Sequence, residues 1–515
     1  MTGHEFSRRR LLQQAAVGTG VIGASLSGLS WTASSAAAAQ DGAGQVTYAS
    51  VRDILSFDPR LVQTTEEMGL MQHVCEPLVR LDAELGLVPA LATEWEAIDP
   101  TTWKCTLRDG VTFHNGEPFN AEAVKFTIDE YRRSADTYPW YYLWPDELPE
   151  VEIIDDHTVH LSSTAPIPTM PRNLALMYML PPEATQQEGF GDHPIGTGPF
   201  SFVEHQQDVR LELAANPEYW GGAPTVSGIV YRPIPDPSAR MVAVQTGEID
   251  VAAAIPPDLV PALEAFPDLA ISQTPGVRIA HYPVNFRKTD GPLANADVRR
   301  ALGYAINGEA ILTNILAGAG QALQGPVPSI LFAAADLGGY PAHDPVRAQE
   351  LLAAAGYDPS TELTMIYTPG EFIKDREVTE AVQAQLAEAG VTLRIEELEG
   401  GAYSERRTTA DWDIAINGFS AMNGDPGFFL AWATGPTTFG YDNQATKDLV
   451  AQALETVDET ERAGVLDEAQ EKYWEDVPYL WGYTQNDTIA IRNRVSGVVP
   501  FSTGWVWFGN AEITA

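Results

Sequence analysis

The sequence predicts an α/β fold that carries an inserted α+β subdomain. Three observations lead there. From residue 344 to 416, helical and strand patterns alternate at the spacing of a largely parallel sheet. Between about residues 85 and 190, short strands, one helix and many prolines are mixed instead. The chain of 515 residues is 44% apolar and holds 18 Phe, 18 Tyr and 12 Trp, which supplies large buriable groups and argues against disorder.

The elements follow in chain order. In the mixed region, strands are expected at 103–107 and 158–161. A helix is expected after Asn120, with Val124, Ile128 and Tyr131 on one face. Asp236-Pro237 gives an N-cap and a proline at the first helical position of a helix ending near Gly247, and a strand at 249–253 follows. Val298, Ala301, Leu302 and Ala305 form a helical stripe. Asp344-Pro345 opens a helix that Gly356 stops, with Ala348, Leu351, Leu352 and Ala355 at i, i+3, i+4 and i+7. A strand at 363–367 comes next, then a helix bearing Val378, Ala381, Val382, Leu386 and Ala389 that stops at Gly390, then a strand at 391–395. Trp412, Ile414 and Ile416 alternate with Asp411, Asp413 and Ala415, which reads as a half-buried strand. Helices at 449–457 and 460–474 complete the pattern.

Residues 1–39 read as a removable export signal rather than as fold. Ser7-Arg8-Arg9-Arg10-Leu11-Leu12 is a twin-arginine element, and no charge occurs from 11 to 40. Ala36-Ala37-Ala38-Ala39 offers the small residues of a cleavage site, placed here after Ala39. No Cys lies near it for lipid attachment. Gly18-Thr19-Gly20-Val21-Ile22-Gly23 matches the dinucleotide fingerprint in form only, because no strand precedes it and no acidic residue follows at the required distance.

With 31 Lys+Arg against 70 Asp+Glu, the net charge is -39, which repels phosphate and disfavours a nucleic-acid partner. Two Cys exclude a disulfide-dense scaffold. Cys75 and Cys105 could join in an exported protein, stabilising it by roughly 3–4 kcal/mol in the chain-entropy model; otherwise they are two buried thiols. The mature chain has no GxSxG, HExxH, GxxxxGK or CxxC motif, so neither catalysis, nor a metal, nor a cofactor is expected. His157 and His160 face opposite sides of a strand and cannot chelate one ion.

Several blocks in order resemble one family. They include Leu78-Val79-Arg80-Leu81-Asp82, Val88-Pro89-Ala90-Leu91-Ala92-Thr93-Glu94-Trp95, and Leu107-Arg108-Asp109-Gly110-Val111-Thr112-Phe113-His114-Asn115-Gly116-Glu117-Pro118-Phe119. Gly196-Thr197-Gly198-Pro199-Phe200, Asn216-Pro217-Glu218-Tyr219-Trp220, Gly247-Glu248-Ile249-Asp250 and Asp297-Val298-Arg299-Arg300-Ala301-Leu302 follow. Residues 45–515 thereby resemble the family 5 extracellular solute-binding proteins of ABC importers, the peptide/nickel/opine type. Locally, Asp109-Gly110 and Asn115-Gly116 are hairpin signals.

The resemblance implies a two-lobed periplasmic-binding-protein (Venus-flytrap) fold that closes on a ligand. Lobe I would span 40–285 with the insertion at about 85–190, lobe II 286–486, and 487–515 would return to lobe I. The crossings would fall near 284–286 and 485–488. The implied protein is a periplasmic or extracellular monomer without enzymatic activity or cofactor, partnered by a small-molecule ligand and by a membrane permease with its ATPase. A sensory binding protein that feeds a membrane receptor, or a secreted hydrolase, are the alternatives.

The resemblance also places the segment Gly418-Phe419-Ser420-Ala421-Met422-Asn423-Gly424-Asp425-Pro426 in the cleft. Peptide-binding relatives carry there an Asp that pairs with the peptide's α-ammonium, and Met422 occupies that position here. A thioether cannot neutralise an ammonium. Phe419 with Met422 points to a partly apolar pocket; otherwise Met422 is packing and the charge partner lies elsewhere. Ser420, Asn423, Asp425 and Trp432 belong to the same candidate set, with Asp425 also suited to supporting the turn before Pro426. Residues 64–67, with Thr64, Thr65 and Glu67 foremost, could reach the cleft from just before the first helix, and Tyr282 and Asn285 lie at the expected crossing. The cluster Trp140, Tyr141, Tyr142 and Trp144 either stacks on ligand or fills the insertion.

Overall fold

Two long antiparallel strands run through both halves of the molecule. The computed structural model describes residues 44–144, 147–435 and 437–514; the expected export signal lies outside them. The main sheet has nine strands: β1 (Gln45–Ser50), β2 (Phe200–Gln206), β3 (Arg210–Ala215), β4 (Gly228–Pro233), β5 (Val251–Ala252), β6 (Leu269–Pro283), β7 (Gly320–Ala322), β8 (Asn417–Ser420) and β9 (Tyr479–Arg492). Their order is β8-β6-β9-β5-β1-β4-β3-β2, with β7 on β9. The long pair is β6 with β9, and its register breaks between Pro275 and Ile279. At Gly276, inside that break, a Cβ would lie 2.4 Å from the Gln485 carbonyl oxygen, so this close backbone approach requires glycine.

Separate cores form on the two sides of the break. Ala490 packs with Val244, Ile249 and Leu263, and Leu269 and Ile271 lie against them. Beyond it, Ala280, Tyr282, Leu480, Trp481 and Tyr483 join the helices Ala296–Ala305 and Asp375–Glu388 and the strand Glu362–Tyr367. The result is a mixed α/β molecule of two lobes.

The expected α/β unit is present. Strands Thr392–Glu397, Glu362–Tyr367 and Ile414–Ala415 form a parallel sheet in that order. Asp344 caps the helix Pro345–Ala354 by accepting from the Arg347 amide. One reading fails. Residues 411–416 do not form a half-buried strand: only Ile414–Ala415 pairs, and everything from Trp412 to Ile416 is buried. Polarity misleads here because Asp413 goes inside with partners. Lys288 Nζ donates to it at 2.7 Å and the Thr364 amide at 2.9 Å.

The mixed region is a four-stranded antiparallel sheet, Ala92–Asp99, Thr102–Leu107, Thr158–Ser162 and Glu150–Asp155 in spatial order. The helix Ala121–Arg133 starts at Asn120, whose side chain accepts from the Ala123 amide, and buries Val124, Ile128 and Tyr131. Cys75 and Cys105 are buried free thiols, so the disulfide alternative falls away. Gly196 and Gly198 are needed where the chain crosses the end of helix α1 (Thr65–Val74): Cβ atoms there would lie 2.0 Å from the Val74 oxygen and 2.4 Å from the His73 oxygen.

Candidate functional site

The chain leaves edge strand β8, turns through residues 421–425, and enters helix α2 (Pro426–Thr434). Asp425 starts that helix. Its Oδ1 accepts from the Gly427 amide at 2.8 Å, and Arg462 grips both carboxylate oxygens at 2.6 and 2.8 Å. Burial alone would raise its pKa, but the Arg462 charge and hydrogen bonds hold the carboxyl below the usual range. Removing one partner of a buried pair like this costs ~3–5 kcal/mol. Asp425 is therefore committed to the turn.

With the turn fixed, Phe419, Ser420 and Met422 line a cavity of about 440 Å³, together with Gln63, Thr65, Trp140, Tyr142, Gly418, Phe428 and Trp432. Its wall is a connected set of rings. Phe419 stacks on Phe428 at 5.8 Å and meets Trp432 at 5.4 Å. Tyr142 meets Phe428 at 4.6 Å, and Trp140 is held by donation from its Nε1 to the Val62 oxygen at 3.1 Å. Burial pushes the Tyr142 hydroxyl up to about 12, so it stays protonated and can donate.

Two further cavities adjoin this one. Thr65 is shared with a cavity of about 170 Å³ whose lining includes Tyr48, Glu66, Asp487 and Trp505. Tyr142 and Phe428 are shared with a cavity of about 380 Å³ lined by Ile167, Asn173, Asn423 and Leu454 among others. Asp487 lines the cavity beside Thr65 and is exposed to water. Desolvation lifts it to about 6, against the pull of Arg278.

Of the residues singled out from sequence, Thr65, Trp140, Tyr142, Phe419, Ser420, Met422 and Trp432 come together around one cavity. The others sit elsewhere. Thr64 and Glu67 close a reciprocal cap on α1, where the Glu67 Oε2 accepts from the Gln63 and Thr64 amides. Tyr282 is buried against Trp481. Asn285 is buried and donates to the Thr409 and Trp412 oxygens. Asn423 donates to Asn173 Oδ1 at 3.0 Å, and its own carbonyl accepts from Arg172 at 3.4 Å. Sequence reasoning did not single out Gln63, Phe428 or Asp487. Phe428, two residues after the Asp425-Pro426 helix start, was the one with a local signal. Among the described residues, no three His, Cys, Asp or Glu side chains gather as a metal-binding group, and no helix is long and apolar enough to cross a membrane.

Comparison with known proteins agrees with this architecture. Residues 86–441 match the model of the bacterial extracellular solute-binding proteins, family 5. A glutathione-binding protein, GsiB of Pectobacterium atrosepticum, is 29% identical over 478 residues, covering 89% of this chain and 92% of that protein. HbpA2 of Haemophilus parasuis superposes with a TM-score of 0.83 at 23% identity, covering 92% of this chain and 100% of the other. The periplasmic binding protein DppA of Helicobacter pylori, solved with the peptide STSA, gives 0.71 at 26% identity, with 92% and 98% covered. The matched segment, the two lobes and the end-to-end coverage agree: this chain belongs to the family 5 bacterial extracellular solute-binding proteins.

Proposed function

We propose that the protein captures a small solute, a peptide or peptide-like compound, and delivers it to the permease and ATPase of an ABC importer. The observation that carries this is the ring-lined cavity of about 440 Å³, which is in the size range of small-ligand sites. The relatives add support, since one is named for glutathione and another was solved with a short peptide.

On this reading Thr65, Trp140, Tyr142, Phe419, Ser420, Met422, Phe428 and Trp432 touch the ligand. The lobes, at 40–285 with 487–515 and at 286–486, turn about β6 and β9, where the register breaks. Ligand bound to both walls favours the closed state by its differential affinity, and the permease reads that state. The chain performs no reaction. Residues 1–39 direct it through the twin-arginine route to the periplasm or the exterior.

The test joins two measurements. Calorimetry identifies which di- and tripeptides the purified mature protein binds. A strain lacking the gene should then lose uptake of those peptides. Unchanged uptake, or turnover of a bound compound, would overturn the reading.

A further inference from the structure

We propose that lobe II carries a second binding site, apart from the cleft, for one small neutral aromatic molecule. The site is a cavity of about 230 Å³ between the helix Ala296–Ala305, the segment 339–341 and the chain from Trp474 to Leu480. None of its lining residues lines the ring-walled cavity or the two cavities that adjoin it.

Size and shape give the first support. Gly303, Tyr479 and Leu480 are buried and form the floor, while Tyr304, Tyr340 and Trp474 are half-buried and form the rim. An apolar cavity of ~150 Å³ takes benzene. At about 230 Å³ this one has room for a ring with a substituent. The walls are already fixed. Tyr479 donates its hydroxyl to the Pro326 oxygen, and its ring meets Trp474 edge-on at 5.6 Å. Tyr340 meets Trp474 at 5.2 Å with the planes 56° apart. Rings held at such angles present both faces and edges, the arrangement in which a further ring gains most.

Charge gives the second. Arg300 is the single charged side chain in the lining. It donates to Asp297 Oδ1 at 2.9 Å and to the Glu475 main-chain oxygen at 3.0 Å, so its charge is already answered. No Asp, Glu, Lys or His lines the cavity. A neutral occupant therefore fits better than an ion, which would lose water without gaining a partner.

The backbone gives the third. Gly303 lies in the last turn of its helix and does not have a left-handed φ. A Cβ there would meet nothing nearer than Pro341 Cγ at 3.5 Å, an ordinary contact. Neither conformation nor crowding calls for glycine, and glycine is less stable in a helix than alanine. Its effect is to leave the floor open. The Leu480 oxygen lies 3.9 Å from where that carbon would stand, an acceptor for an occupant's O–H or N–H. In the wall, Val477 has a φ of 48° and is the one β-branched residue with positive φ among the described residues. Such strain gathers at ligand sites, where the local shape is part of the function. Two unfavourable backbone choices thus shape one cavity.

The test titrates the mature protein, labelled at Val and Leu methyls, with 4-methylphenol and with 4-methylcyclohexanol. The two probes share size and hydroxyl and differ in the aromatic ring. Val477 and Leu480 both line this cavity, so their methyl resonances separate it from the cleft. The phenol should shift both in a saturable way with Kd below about 1 mM. The saturated alcohol should bind at least about threefold more weakly. Gly303→Leu, which fills the floor, should weaken the phenol at least about tenfold. Thermal melts check folding. If Gly303→Leu does not fold, Gly303→Ala decides, with at least about threefold weaker binding at an equal or higher melting temperature. No saturable shift up to about 10 mM, equal binding of the two probes, or affinity unchanged in the folded variant would overturn the site. So would a lower melting temperature for Gly303→Ala, because the helix itself would then need the glycine.

Discussion

Three titratable side chains of this protein, two of them buried histidines, work in opposite directions with pH. Asp487 is raised from 3.8 to about 6 in the fold, mainly by desolvation. The folded state therefore holds its proton over a range where the unfolded chain has lost it. The penalty is fully present above about 6 and disappears as pH falls through 6 toward 3.8. Asp487→Asn should raise the melting temperature of the unliganded protein at pH 7.5 and leave it unchanged near 3.8. His73 and His281 behave oppositely. Burial holds each down to about 3 from 6.5, so the unfolded chain takes up protons first, and stability is lost as pH falls from 6.5 toward 3. His73 has partners: its Nδ1 bonds the Gly69 oxygen at 2.8 Å, and its Nε2 accepts from the Phe508 amide at 3.0 Å. His281 has no hydrogen bond on either nitrogen among the described residues and is ringed by Phe429, Trp432, Phe439 and Tyr479. His281→Phe should flatten the acid limb of stability in urea titrations from pH 7 to 4. A steeper limb would contradict the assignment of a neutral buried ring. Met422 was legible from sequence because a family pattern gave its position a meaning. Asp487 was not, because a single acid in a strand says nothing about which cavity it faces.

At the scale of elements, sequence was most informative where side chains satisfy the backbone locally. Asn120, Asp236, Asp344 and Asp458 each cap the helix that follows them, within reach of short-range reasoning. It was least informative where a distant partner decides. Asp413 enters the core only because Lys288 and the Thr364 amide await it, and no local pattern contains either. The β6–β9 break is similar, since Gly276 has a reason only once Gln485 lies against it. Gly276→Ala would place a methyl 2.4 Å from that carbonyl oxygen, so the strands must part. The expected outcome is a lower urea midpoint by an amount corresponding to about 1–3 kcal/mol. An unchanged midpoint would mean the break is loose.

At the scale of the whole molecule, the turn at 421–425 connects regions far apart in sequence. Asn423 bonds Asn173, and Arg172 Nη1 reaches both the Leu85 oxygen and the Asn423 oxygen. These bonds hold the mixed sheet's neighbourhood to the segment that carries the ring wall. Asn423→Ala should therefore weaken ligand binding about tenfold by loosening the assembled cleft, a cost near one buried hydrogen bond. Calorimetry would read the loss, and small-angle scattering would read a larger radius of gyration with ligand present. The contact between Tyr142 and Phe428 has a consequence for ligand length. The two rings stand between cavities of about 440 and about 380 Å³. A short ligand leaves them together. A longer one must part them and give up a ring contact of about 0.5–1.5 kcal/mol before it gains the second space. Affinity along a homologous series should climb, pause at the unit that meets the rings, and climb again, making the pair a measuring stop rather than a wall.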